Sequence, residues 1–203
     1  MFVTIPKFIQ ALFPSLIWRK ETKNKEIWLT FDDGPDPEVT PWLLKLLKQE
    51  NVTATFFLVG EKMEEFPELV GDIITEGHVV ANHTYSHING WLCNKEKYLS
   101  DIEKCQKFMP NNHLFRPPYG KITKSQIKLL KEKYKIILWD VLSWDFQQNI
   151  TPQRVEGNIL KNTKEGSIIV LHNNKESYKN LIPILEKTIQ KLKKKGFNFS
   201  TTW

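Results

Sequence analysis

Cysteine is nearly absent from this 203-residue sequence: Cys93 and Cys105 are the only two, and neither lies in a C-x-x-C or Cys/His finger spacing. That excludes a disulfide-dense or zinc-finger scaffold; the plainer reading is two free thiols in a reducing compartment, with a single disulfide between them left open by the sequence. A long apolar run is missing as well. Only Lys7 precedes the uncharged stretch from Phe8 to Trp18, which Pro14 interrupts, which lacks a small-x-small cleavage site and which is too short to span a bilayer. The stretch is therefore expected to be a strand or amphipathic helix closing one end of the domain, and the chain is read as cytoplasmic. A peripheral membrane contact through Phe8, Leu12, Phe13 and Trp18 stays open. No low-complexity tract, internal repeat or nucleic-acid-binding motif occurs, so nucleic acid is excluded as a partner.

What the sequence does hold is an ordinary globular balance, 40% hydrophobic and 26% charged, with a net charge of +6. Much of the basic excess sits on helix faces such as Lys187, Lys191, Lys193, Lys194 and Lys195, where lysines solvate a surface. The length suffices for one sizeable core and is short for two. Residues 1–203 are read as a single domain and a monomer, with 1–25 as an N-terminal extension packed on it.

Short runs rich in Ile, Val and Phe alternate with stretches of helical period, the pattern of a parallel α/β sheet or barrel. The expected strands lie near Ile27–Phe31, Thr53–Val59, Val79–Asn82, Leu114–Arg116, Lys135–Trp139, Ser167–His172 and Phe197–Ser200. The expected helices lie near Glu38–Gln49, Met63–Glu76, Lys95–Phe108, Lys124–Lys133, Thr151–Asn162 and Tyr178–Lys195. Thr151 with Pro152 reads as an N-cap followed by proline at the first helical position, and Gly77 and Gly196 as helix stops.

On this map polar residues gather at strand ends: Asp32 and Asp33 after the first strand, His83 after the third, Arg116 at the fourth, Asp140 and Asp145 after the fifth, His172 at the sixth. If the strands are parallel, all fall at the carboxyl edge, where α/β folds place their active sites. Adjacent carboxylates repel, so Asp32 and Asp33 need a cation or a shared proton; the plainer reading is a βα turn with an Asp capping the helix. His83 and His87 stand at i, i+4, which on one helical turn brings two imidazoles to a common point and suits Zn2+, Co2+, Ni2+, Mn2+ or Fe2+. Asn82 and Thr84 are candidates for orienting the rings. His78 and His113 have no such partner and read as packing or surface residues. In Arg116-Pro117-Pro118-Tyr119-Gly120 the prolines stiffen the turn, so Arg116 can hold a carboxylate ionised and the Tyr119 N–H can face a developing oxyanion.

These segments resemble the polysaccharide deacetylases of the NodB-homology type, carbohydrate esterase family 4. The resemblance covers roughly Glu26 to Trp203: Thr30–Pro35 reads TFDDGP, His83–His87 reads HTYSH, Arg116–Gly120 reads RPPYG, Trp139–Phe146 resembles the fourth motif, and Leu171 with His172 the fifth. It implies an α/β fold, a distorted (β/α) barrel of about seven parallel strands, and a hydrolase that removes N-acetyl groups from an acylated amino-sugar glycan. By the resemblance Asp32 is the general base, Asp33 joins His83 and His87 as metal ligands, and Arg116 orients Asp32. Asp145 tunes His172, the general acid, while Phe146 and Leu171 line the acetyl slot beside Tyr119. One divalent ion is implied, Zn2+ first among the candidates. Two departures bear on substrate preference: Leu142 replaces an acid of the fourth motif and Phe146 its tryptophan. Asn173 stands where an Asp is common. Rival readings are a deformylase or amidase of the same fold, and an iron oxygenase using two histidines and one carboxylate.

Overall fold

The structure, a computed structural model, describes residues 3–110 and 112–203. Every expected strand is present, most of them shorter than the apolar run that announces it. β1 spans Glu26–Asp32, β2 Thr55–Leu58, β3 Val79–Asn82, β4 Leu114–Phe115, β5 Lys135–Ile136, β7 Ile168–His172 and β8 Asn198–Phe199. Between β5 and β7 lies an additional strand, β6, of two residues, Val141–Leu142, too short to carry a readable period. All ladders between these strands are parallel, in the order β5-β4-β3-β2-β1-β7-β6, with β8 beside β1 off this path. No ladder joins β5 to β6 among the described residues, so the barrel is open at that seam.

Helices fill the crossovers: α2 (Val39–Gln49), α3 (Gly60–Glu65), α4 (Pro67–Thr75), α5 (Lys95–Gln106), α6 (Lys124–Leu130), α7 (Pro152–Asn162), α8 (Lys175–Leu181) and α9 (Leu185–Lys194), after a short α1 (Lys7–Leu12). Two helices expected to be continuous are each divided at a proline. Pro67 starts α4 at its first turn instead of extending α3, and Pro183 falls in the turn between α8 and α9, because proline has no N–H to give the preceding turn. The expected signals at α7 hold: Thr151 caps it, its side chain accepting from the Arg154 N–H, and Pro152 follows. Gly77 and Gly196 take φ of 81° and 85°, the left-handed values that end a helix. No described helix is long and apolar enough to cross a membrane.

Strand alternation divides the core in two. Ile27, Leu29 and Phe31 of β1, Phe56 and Leu58 of β2, and Ile169 and Leu171 of β7 face outward into the cluster packed by Leu43, Leu47, Ile189 and Leu192 of the helices. The alternate residues Trp28, Phe57, Ala81, Leu114, Ile137 and Ile168 fill the barrel, with Trp203 packed against them. Above this apolar floor, the next inward residue of β1 is Thr30 and the one above it Asp32. Each buried side chain of this size contributes about 1.5–3 kcal/mol, so the floor anchors what stands on it.

The N-terminal segment closes the open seam. Ile17 lies parallel to β5, its N–H donating to the Ile136 carbonyl at 2.9 Å and its carbonyl accepting from Leu138 at 2.8 Å. The Val3 carbonyl accepts from the Leu142 N–H of β6 at 2.9 Å. Residues from one extension thus cap the free edges of both seam strands. Asp140, expected at the carboxyl edge, lies instead at the amino end of the sheet, because β6 starts after it. There it accepts from the Ile168 N–H at 2.9 Å and the Ser167 hydroxyl at 3.0 Å, and pairs with Arg19 at 3.1 Å.

Candidate active site

Register brings the site together. Asp32 stands opposite Phe57 of β2 and His172 of β7, while Asn82 at the end of β3 is paired with Leu58 and Phe115. The residues that follow, Asp33, His83 and Arg116, therefore leave the sheet at one level.

His83 and His87 do converge, but not on a helical turn. The segment is a loop in which Thr84 and His87 adopt φ of 66° and 54°, a left-handed conformation uncommon for these residue types. Asp101 of α5 builds the loop, its Oδ1 accepting from the N–H groups of Tyr85 (2.7 Å) and Ser86 (3.0 Å). Asn82 accepts from the Thr84 N–H at 2.9 Å, so Asn82 shapes the loop and does not bond a ring.

The His83 ring is oriented by the Arg116 carbonyl, 2.8 Å from Nδ1. A carbonyl only accepts, so Nδ1 carries the proton and Nε2 offers its lone pair to the cavity. Asp33 Oδ1 lies 3.5 Å from this Nε2 and 3.1 Å from the Nε2 of His87. All three ligand atoms lie within 4.8 Å of one another. Bonds of about 2.0–2.2 Å set neighbouring ligand atoms about 3–3.5 Å apart in four- to six-coordinate sites, so the donor set fits a divalent cation. Lone pairs aimed at a carboxylate repel unless a positive charge stands between them. Burial pushes the Asp33 carboxyl up, but the imidazoles of His83 and His87 beside it and the charge of His172 outweigh this and hold the carboxyl well below the usual range. Asn174 donates to Asp33 Oδ2 at 2.9 Å and Lys62 to its carbonyl at 2.8 Å.

Asp32 is separated in role by what it touches. Its Oδ1 lies 2.6 Å from Nη1 of Arg116, whose side chain is wholly buried. The guanidinium also donates to the Thr30 hydroxyl (2.7 Å) and to the carbonyls of Ile137 (3.3 Å) and Leu138 (3.1 Å), and stacks 4.0 Å above the Phe57 ring. A buried carboxylate with a buried, well-anchored guanidinium beside it is fixed in rotation and has its counter-charge in place.

Opposite stands His172. Its Nδ1 donates to Asp145 Oδ1 at 2.8 Å and its backbone N–H to Oδ2 at 2.8 Å, leaving Nε2 for the cavity. Asp145 is held in turn by the Ser143 hydroxyl at 2.6 Å, and its carbonyl by Asn180 at 2.6 Å. Burial alone lowers the His172 imidazolium, but Asp145, with smaller help from Asp33 and Asp32, pushes it up to about 9.

These groups surround a cavity of about 390 Å³ whose apolar walls are Trp139, Leu142, Trp144, Phe146 and Val170. Phe146 sets its ring edge-on to His172, centroids 4.8 Å apart, and Tyr119, at φ 60°, does the same to His87 at 4.7 Å. Leu171 is not part of the lining. With a strand period of two, Val170 and His172 face inward and Leu171 is buried among the helices, so Val170 takes the place expected for Leu171. Leu142 fills the position where the motif carries an acid. His78 is structural, its Nδ1 accepting from the Ala54 N–H at 3.2 Å. Cys93 and Cys105 are free thiols. Asn173 is buried against Thr40 and so close to Gly34 that a β-carbon there would lie 2.3 Å from its Nδ2. Sequence reasoning passed over Asn174, Ser143, Asn180 and Asp101. Only Asn174 carried a signal, as a polar residue two positions beyond His172.

The polysaccharide deacetylase family profile matches residues 19–134. A peptidoglycan-N-acetylglucosamine deacetylase of Bacillus cereus is 41% identical over 185 residues, covering 87% of this chain and 66% of that protein. A second protein of that name from Bacillus cereus is 36% identical over 193 residues, covering 91% of this chain and 89% of its own length. Among solved structures, the Bc1960 peptidoglycan N-acetylglucosamine deacetylase in complex with 4-naphthalen-1-yl-N-oxidanyl-benzamide superposes with a TM-score of 0.89 at 37% identity, covering 95% of this chain and 93% of that one.

Proposed function

Since the chain belongs to the polysaccharide deacetylase family, we propose that it is a metal-dependent hydrolase that removes N-acetyl groups from a bacterial amino-sugar glycan, peptidoglycan foremost. The observation that carries this reading is a cavity with a carboxylate on one side and a carboxylate-backed imidazole on the other, Asp32 and His172, beside the group Asp33, His83 and His87.

The proposed ion is Zn2+, held by Asp33, His83 and His87, and when bound it supplies a Lewis acid that acidifies water and polarises an amide carbonyl. Asp32 is the base. Arg116 occupies its Oδ1 and supplies its counter-charge, so its other oxygen accepts the proton of the attacking water. His172 is the acid, giving the proton on Nε2 to the amide nitrogen as the carbon–nitrogen bond breaks, so that acetate and a free amine leave. Asp145 and Ser143 keep its Nδ1 side fixed, and Asp145 keeps it charged near neutral pH. Tyr119 is proposed to meet the developing oxyanion through its backbone N–H. Val170, Leu142 and Phe146 supply the apolar wall for the acetyl methyl, a wall that a formyl group would leave unfilled.

The test is acetate and amine release from N-acetylglucosamine oligomers and from bacterial peptidoglycan, before and after chelation and after zinc is restored. Release lost on chelation and regained with zinc is expected. No acetate from any acylated glycan refutes the proposal.

A further inference from the structure

The rim of the cavity carries a feature that the hydrolytic chemistry leaves unused. Lys121 is the only lysine or arginine among the residues lining it, the buried Arg116 being engaged below. Its Nζ lies 5.5 Å from the ring centroid of Trp91 and 5.8 Å from that of Tyr119. Both rings are exposed, 62% and 60%, and Leu92 beside Trp91 is 83% exposed. Lysines elsewhere in the chain reach glutamates, as in Lys48–Glu76, Lys175–Glu38 and Lys191–Glu156. Among the described residues no carboxylate pairs with Lys121.

The rim is built rather than floppy. The Trp91 indole N–H donates to the Ile122 carbonyl at 3.2 Å, and Gln126 donates to the Gly90 carbonyl at 2.8 Å. Gly90 packs so closely on Lys121 that a β-carbon there would lie 2.5 Å from the Lys121 carbonyl oxygen. The two exposed rings present their faces on either side of the Lys121 ammonium. Such a group lacks only an anion. The cavity is at the small end of ligand pockets, which run about 300–1,000 Å³, so a glycan longer than the sugar inside must continue past its rim, where Lys121 stands.

We propose that Lys121, flanked by Trp91 and Tyr119, is a specificity residue that binds a carboxylate carried by the sugar next to the one being deacetylated, so that an acidic glycan is preferred to a neutral one. This rests on the deacetylase reading above and narrows its substrate. Peptidoglycan meets the requirement where the lactyl group on alternate sugars has lost its stem peptide and ends in a free carboxylate; a peptide-bearing lactyl group, whose carboxyl is taken up in an amide, and an oligomer of N-acetylglucosamine do not.

The experiment compares two tetrasaccharides, one alternating N-acetylglucosamine with its lactyl-ether derivative bearing a free carboxylate, the other N-acetylglucosamine throughout. For wild type, Lys121→Gln and Lys121→Arg, both kcat/KM and Kd are measured at low and high salt. Wild type is expected to favour the acidic glycan about tenfold or more in both quantities, as a charge-assisted hydrogen bond gives. Lys121→Gln is expected to bring the ratio near one and abolish its salt dependence, and Lys121→Arg to keep it. A wild-type Kd ratio near one, or a ratio unchanged in Lys121→Gln, overturns the assignment. Should neither glycan be turned over while the Kd ratio behaves as expected, deacetylation is refuted and the Lys121 assignment stands.

Discussion

Replacing Asp145 by asparagine separates the charge of the His172 pair from its shape. Asp145 is the largest influence raising His172, and burial acts the other way, so without its charge the imidazolium is expected to fall from about 9 to below the ordinary 6.5. That difference corresponds to roughly 3 kcal/mol of lost imidazolium stabilisation. At pH 8 a group titrating near 9 is about 90% protonated and one below 6.5 at most about 3%, so the supply of general acid drops about thirtyfold. The basic limb of kcat/KM, expected near pH 9 in wild type, should move below pH 6.5, with the deficit shrinking as the pH falls. The amide cannot accept at both ends, so the His172 N–H, now bonded to Oδ2 at 2.8 Å, loses its partner. That adds a pH-independent cost of about 1–3 kcal/mol to folding. Stability gives a second reading. Because the folded-state value is raised, the charge contribution is fully present below about pH 6.5 and disappears as the pH rises through about 9. The variant should therefore lag wild type most in acid and least above pH 9. The assays are a pH series of acetate release, NMR titration of the His172 ring and urea unfolding at pH 6 and 9.5. A basic limb that stays near pH 9 in Asp145→Asn refutes the reasoning.

Asp32→Asn is expected to retain metal, by elemental analysis, while losing about 10²–10⁴-fold in kcat; His83→Ala should lose the metal itself. Arg116→Met leaves Asp32 buried without a counter-charge and should cost about 3–5 kcal/mol. For a chain of this size that corresponds to a fall in Tm of about 10 °C, checked by calorimetry. Substituting Leu for Asp32 in the same chain should return most of it. Gly34→Ala drives a β-carbon into Asn173 and is expected to cost roughly 1–3 kcal/mol in urea unfolding, with Asn173→Ala restoring part.

The sequence made the strands and the carboxyl edge legible because a buried parallel strand needs a continuous apolar run and a turn residue to end it, and Ile27–Phe31 followed by Asp32–Pro35 supplies both. It misread what depends on partners distant in the chain. The His83–His87 spacing matches a helical turn, yet Asp101, fourteen residues beyond His87, holds those residues as a loop. Leu171 adjoins His172 in sequence and lies on the opposite face of the same strand, a matter of phase that motif matching ignores. The helix breaks at Pro67 and Pro183 were readable, since amphipathic period continues through a proline that the backbone hydrogen bonds cannot.

The seam-closing segment has a reach beyond its own surface. Ile17 fixes the backbone of Leu138, and the carbonyls of Ile137 and Leu138 are acceptors for the Arg116 guanidinium, which in turn grips Asp32. Loosening residues near Ile17 would slacken the mount of the proposed general base from the far side of the barrel wall. A clipped amino terminus should thus show itself as a catalytic defect before the core has melted.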